Sequence, residues 1–307
     1  MKKIRQVFAD TMLEIGKKDK NLVVLVGDIS HRIFQPFAKS CKGRYFNIGI
    51  CEPSIVNIAA GLSKIGFNPV VHTISSFIIE RAYEQIKLDF GYQKLGINLV
   101  SVGGAFDYSK LGCSHHCYTD ISLISHFKNS TISIPASELE FKLLFKSLYR
   151  NKKINYFRVP EHSHNFIFNK KQIKPGKAII FKKGKNLTLA VLGNLLNNAI
   201  QAVKNIEDKY NDSIEIIYYN SLKPFDRKLI KKSVKKTKKI ITIEDLSAHD
   251  GLYTNCLKSL VGVDNYKAKQ LAINDFIHDY GSYDELCNKA GLSIKNIEKS
   301  IKIILKF

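Results

Sequence analysis

Short, continuous apolar runs rich in Val and Ile recur along this chain between longer helix-like stretches, and that alternation leaves few folds open. Leu22 to Gly27, Pro69 to Thr73 and Asn98 to Val102 mark the first half, and Leu187 to Leu192, Ile214 to Tyr219 and Ile240 to Glu244 the second. A strand that is apolar at successive positions must be covered on both faces, as in a mostly parallel sheet flanked by helices. Helices are expected at about Ile4 to Lys17, Ser54 to Lys64, Phe77 to Asp89, from Leu192 to about Tyr210, and at Ser293 to Leu305. A further strand is expected to end at Ile50, with loops over Asp28 to Gln35 and Gly103 to Asp120. The reading is an α/β protein of two domains, residues 1–165 and 186–307. The polar stretch 166–185, with Pro175 and Gly184, is expected to be a linker.

Composition narrows the classes of function. The 307 residues are 45% hydrophobic, enough for two cores. No apolar run approaches the roughly 20 residues that cross a bilayer, and Met-Lys-Lys-Ile-Arg-Gln opens without a signal-peptide core. A cytoplasmic protein with no membrane partner is expected, with its six cysteines reduced. The net charge of +21 invites a nucleic-acid reading. The densest basic run, Lys223 to Lys239, reads instead as an amphipathic helix capped by Asp226. Its Leu229, Ile230 and Val234 face inward and its lysines face solvent. No nucleic-acid-binding motif accompanies it, and no nucleic-acid partner is expected.

Glu52 stands where an apolar strand, Phe46 to Ile50, gives way to a small-residue helix, a position from which a carboxylate can bond a ligand nitrogen. Around it lie Val26-Gly27-Asp28-Ile29, Gly49-Ile50-Cys51-Glu52, Ala59-Ala60-Gly61-Leu62, and Ser75-Ser76-Phe77 followed by Arg81-Ala82-Tyr83-Glu84-Gln85. Gly112-Cys113-Ser114-His115-His116 and Asp120 close the first half. Pro175-Gly176-Lys177-Ala178, Leu222-Lys223-Pro224-Phe225-Asp226 and Ile243-Glu244-Asp245 with Gly251-Leu252 mark the second. In order and spacing these segments resemble the carboxyl-terminal section of transketolases, a pyrimidine-binding domain followed by the transketolase carboxyl-terminal domain. The resemblance covers nearly the whole chain.

It implies a thiamine diphosphate enzyme that moves a two-carbon ketol unit between sugars. In that family the glutamate matching Glu52 bonds N1′ of the aminopyrimidine, Phe77 falls where an aromatic ring stacks on it, and Ile50 and Arg81 join them at the cofactor. His115 matches the active-site histidine of the loop over the thiazolium, and His116 stands where many members have Gln. Arg81 matches an arginine near the substrate in the deoxyxylulose-phosphate-synthase branch. Arg158 matches a phosphate-binding arginine, and Arg32 falls about where the family has a phosphate-binding serine.

The departures concern substrate and assembly. Leu111 replaces an aspartate that touches the donor, and Glu161 stands where a basic residue is often found. Cysteines and histidines are dense at 113–117, but no second ligand pair follows as a zinc site requires. The Gly-Asp-Gly motif that holds magnesium and diphosphate in thiamine enzymes is missing, and Gly27-Asp28-Ile29 does not replace it. The resemblance therefore implies a separate amino-terminal subunit holding Mg2+ and diphosphate, in an α2β2 assembly. Two alternatives stay open: the β subunit of a 2-oxoacid decarboxylating dehydrogenase, and a deoxyxylulose-phosphate-synthase-like enzyme.

Overall fold

The computed structural model describes residues 3–164, 166–210 and 212–306. Its strands are β1 (Leu22–Val26), β2 (Tyr45–Asn47), β3 (Asn68–Ile74), β4 (Ile97–Val102), β5 (Ser130–Ser133) and β6 (Ile154–Val159), followed by β7 (Ile179–Lys182), β8 (Leu187–Leu192), β9 (Ile214–Tyr219), β10 (Ser221–Lys223), β11 (Lys239–Ser247) and β12 (Lys267–Ile273). One sheet has seven strands in the order β10-β5-β6-β4-β3-β1-β2, parallel except for β10. The other has five, β12-β11-β8-β9-β7, parallel except for β7.

The expected α/β architecture is present, and the apolar runs explain it. Every residue of β1, β4, β6, β8 and β9 is buried, as strands covered on both faces must be. The helix Ile4–Lys18 buries Ile4, Val7, Phe8, Met12 and Ile15, the spacing of one helical face. Asp226 caps the basic helix Arg227–Thr237, accepting from the Leu229 N–H at 3.2 Å.

The structure differs from the sequence reading in three places. The strand before Glu52 ends at Asn47 rather than Ile50, and the next helix begins at Glu52 itself, with Pro53 in its first turn. Proline fits there because its missing N–H would have no helical partner anyway. The stretch Ser76–Tyr92 is helical, but Ser76–Arg81 and Ile86–Tyr92 are wound as π-helix on either side of a short α turn. The polar stretch 166–185 is not wholly a linker: Ile179–Lys182 forms β7, an antiparallel edge strand on β9 with Ile179 buried.

The two domains share structure. After β9 the chain leaves its own sheet, and β10 pairs with β5 as the edge strand of the other (Ser221 with Ser133, Lys223 with Ile132). One apolar cluster runs through Phe8, Phe141 and Phe157 of the first domain into Leu189, Tyr218 and Ile243 of the second. Glu140, fully buried in the helix Glu138–Leu148, joins them by hydrogen bonds. Its Oε2 accepts from the Ala136 N–H at 2.9 Å and the Tyr218 hydroxyl at 3.1 Å, its Oε1 from Asn220 Nδ2 at 3.1 Å, and His164 Nε2 lies 3.3 Å away. Glu140→Ala would strand these donors in a dry seam, so a loss of about 3–5 kcal/mol is expected. Urea unfolding of the variant checks this, and a loss under about 1 kcal/mol would contradict the shared seam.

Candidate active site

The carboxyl ends of β1, β2, β3 and β4 open on one side of the larger sheet, where the strand order turns back between β1 and β3, the usual place for a ligand in such sheets. Asn47, the last residue of β2, stitches the loops there. Its Oδ1 accepts from the N–H groups of Asp28 (3.0 Å) and Gly49 (3.1 Å), and its Nδ2 donates to Asp28 Oδ1 (3.2 Å). Glu52 follows at the start of its helix, whose positive end favours a carboxylate. The residue is 1% exposed. Its Oε2 accepts from Arg81 Nη1 at 2.8 Å, while its Oε1 is buried with no hydrogen-bond partner. A dry carboxylate oxygen without a donor is destabilising by roughly 1–3 kcal/mol or more, which a bound donor would relieve.

Arg81 and Phe77 come from the first π-helical segment. Its start is anchored by Ser75 Oγ, which donates to Ser101 Oγ (2.9 Å) and is 3.0 Å from the Val102 carbonyl. The Arg81 guanidinium carbon lies 4.3 Å from the centre of the Phe77 ring, and the Phe77 and His115 rings meet edge to face at 5.1 Å. Glu52, Arg81, Phe77 and His115 are thus one continuous series of contacts. Glu80, next to Arg81, turns the other way and accepts from Thr119 Oγ1 (2.5 Å) and Cys117 Sγ (3.6 Å). Burial and the neighbouring Asp120 push its carboxyl above the usual range.

The loop that carries His115 is folded back on itself. The Ala105 and Cys117 backbones pair in both directions, at 2.5 and 2.7 Å. His115 Nδ1 lies 3.0 Å from Ser114 Oγ, and the Ser114 carbonyl accepts from Ser76 Oγ at 3.2 Å. Leu111 is 54% exposed on the same loop. His116 is not where the sequence reading put it. It is 4% exposed behind the loop, with its ring against the backbone of Ile277 and Ser109, and burial pushes its imidazole below the ordinary range.

Arg158 is a second correction. It was expected at a phosphate, but it is 3% exposed and paired inside the protein, 3.3 Å from Asp120 Oδ2 and 3.1 Å from Asp245 Oδ1. Glu161 pairs with Arg5 at 2.5 Å. Ile50, 67% exposed, lies in the short connection between β2 and the helix that begins at Glu52. Arg32 is exposed in the neighbouring turn His31–Phe34 and has no ion pair among the described residues. Sequence reasoning gave no role to Glu80 or to Tyr108, whose ring stands 6.2 Å from that of His115. The inward turn of Asp120 toward Arg158 had no local signal beyond an acid at the loop's end.

Comparison with known proteins assigns the chain. The family model for the transketolase pyrimidine-binding domain matches residues 1–165, more than half of the chain, and that for the transketolase C-terminal domain matches residues 176–297. This chain belongs to the transketolase family. It is similar to a putative transketolase C-terminal section of Methanocaldococcus jannaschii, 29% identical over 98% of this chain and 95% of that one. It is also similar to one of the subunits of an apulose-4-phosphate transketolase from Phocaeicola vulgatus, 29% identical over 81% of this chain and 80% of that one. A solved split-gene transketolase, described as an inactive beta4 tetramer, superposes with a TM-score of 0.86 at 26% identity, covering 99% of this chain and 98% of that one.

Transketolases imply thiamine diphosphate, and the residues here fit its aminopyrimidine end. Glu52 Oε1 has no donor, and Phe77 offers a partly exposed ring against Arg81, which holds the other Glu52 oxygen. Among the described residues no group of three or more His, Cys, Asp or Glu is placed to hold a metal. The turn that presents Arg32 depends on His72. This fully buried histidine of β3 sits 3.0 Å from Ser30 Oγ through Nε2 and 2.7 Å from the Val100 carbonyl through Nδ1. Burial lowers its pKa from 6.5 to about 4. Its neutral form therefore adds stability that is complete above pH 6.5 and is lost as pH falls through about 4. The stability advantage of the wild type over His72→Asn should shrink by about 3 kcal/mol between pH 7 and 4, read from urea unfolding at each pH. A pH-independent difference would contradict the assignment.

Proposed function

We propose that this chain is the carboxyl-terminal, β-type subunit of a split transketolase-type enzyme, a cytoplasmic transferase of carbohydrate metabolism that moves a two-carbon ketol unit between sugars. The observation that carries the reading is the buried, half-satisfied Glu52 carboxylate within a series of contacts that reaches His115. Its partner would be an amino-terminal subunit that holds Mg2+ and the diphosphate, and the active assembly would be α2β2. Relatives named as one subunit of a transketolase and as a split-gene transketolase support that division.

Bound thiamine diphosphate supplies an electron sink for breaking and making a carbon–carbon bond beside a carbonyl. The protein's residues place and protonate. Glu52 Oε1 would face the aminopyrimidine ring nitrogen N1′ and share a proton with it, while Arg81 fixes the other oxygen. Phe77 orients the ring by stacking. His115, partly exposed above Phe77, is placed to donate to a substrate oxygen or take its proton. Ile50 would supply apolar cover at the cofactor, and with Arg158 withdrawn, Arg32 and Arg81 are the two of the three arginines named from the sequence that remain for a phosphorylated sugar.

A deoxyxylulose-phosphate-synthase-like reaction is the second reading. A synthase of that name from Desulfotalea psychrophila is 30% identical over 95% of this chain, which spans 46% of that protein. The test is to purify the chain with an amino-terminal transketolase subunit and titrate thiamine diphosphate with Mg2+. Saturable binding and ketol transfer are expected, and Glu52→Ala should lower kcat by roughly 10²- to 10⁴-fold. No cofactor binding by the mixed complex, or wild-type turnover in Glu52→Ala, would overturn the reading. A parallel screen of ketose and 2-oxoacid donors separates the two reactions.

A further inference from the structure

Arg158 lost its expected role at a phosphate, and its actual contacts give it another. The guanidinium reaches two segments of the chain beyond its own strand. Nε lies 3.3 Å from Asp120 Oδ2, Nη1 donates to Asp245 Oδ1 at 3.1 Å, and Nη2 donates to the carbonyls of Asp245 and Cys117, each at 3.3 Å. Asp120 and Cys117 close the His115 loop, and Asp245 belongs to β11 in the second domain. The fit is tight at the loop's other end too, since a Cβ on Gly104 would fall 1.9 Å from Arg158 Nε.

The second domain touches the same loop at further points. The Ser247 N–H donates to the Tyr118 carbonyl at 2.9 Å. Gly112, at φ +78°, lies against the Tyr280 ring so closely that a Cβ there would meet it at 2.2 Å. The loop that presents His115 is thus built on the first domain and backed by the second.

We propose that Arg158 and Asp245 form a positioning pair through which the second domain holds the His115 loop over the reaction site. Arginine suits the task because its planar fork can serve these four acceptor atoms at once, whereas a lysine ammonium, with three donors on one atom, cannot span them. What the loop does once positioned rests on the transketolase reading. That the pair holds it does not.

The experiment compares Arg158→Lys and Asp245→Asn with wild type, each purified with the amino-terminal subunit. Asp245→Asn keeps an acceptor of nearly the same shape, so at least one folded variant is expected. Hydrogen exchange should quicken about tenfold or more in amides 105–118 while the helix Ile294–Leu305 keeps its protection. With Glu52 and Phe77 untouched, thiamine diphosphate affinity should stay within about threefold, while kcat falls roughly 10- to 100-fold, as for a misplaced catalytic group. Exchange that rises equally across the whole chain would show general destabilisation and overturn the proposal. So would a folded variant whose loop exchange and kcat match wild type. If the wild-type complex binds no thiamine diphosphate, the transketolase reading falls, and the exchange data on the loop still decide the pair.

Discussion

Glu140 and Arg158 place ionisable groups where water does not reach them, 0% and 3% exposed, and each has partners in both domains. An ion held in such surroundings is tolerated only when nearly every lone pair and proton has a partner at good distance. Such pairing leaves little freedom to slide one sheet against the other, because a small shift would break several contacts together. The apolar cluster shared by Phe141, Phe157 and Tyr218 supplies area without direction, while the buried ions supply direction. Everything at the carboxyl ends of the larger sheet inherits its placement from this seam.

The site shows how a partly satisfied charge can be kept ready. Glu52 has one oxygen fixed by Arg81 and one left dry, so the carboxylate is oriented without being consumed. The π-helical winding of Ser76–Arg81 belongs to the same arrangement. On this segment Phe77 and Arg81, four positions apart, share one face, while Glu80 reaches Thr119 on another side. Such widened turns often occur at functional sites, where the geometry they give outweighs their poorer packing.

What was legible in the sequence depended on range. The strands buried on both faces announced themselves through unbroken apolar runs, and Glu52, Phe77, Arg81 and His115 lay in compact motifs a few residues long. The π-helical winding was hidden because a segment of its length shows nearly the same apolar spacing as an α-helix. The edge strands β7 and β10, four and three residues long, are too short to show a period. Arg158 was misread because what decides its role is Asp245, 87 positions away, and no local pattern reports such a partner. His116 was misread for a related reason: its burial is decided by chain packed around it from elsewhere, including Ile277 of the second domain, which no local pattern reports.

The antiparallel strand that the second domain lends to the larger sheet bears on how this chain can be dissected or shuffled. Cutting between the domains would strip β10 from β5 and leave β5 with a row of open backbone N–H and C=O groups. A bare edge of that kind recruits whatever strand it meets, so the isolated first half would face aggregation before its own stability came into question. The sequence halves at the polar stretch, but the cooperative unit does not, and exchange of modules during evolution would have to carry both halves together.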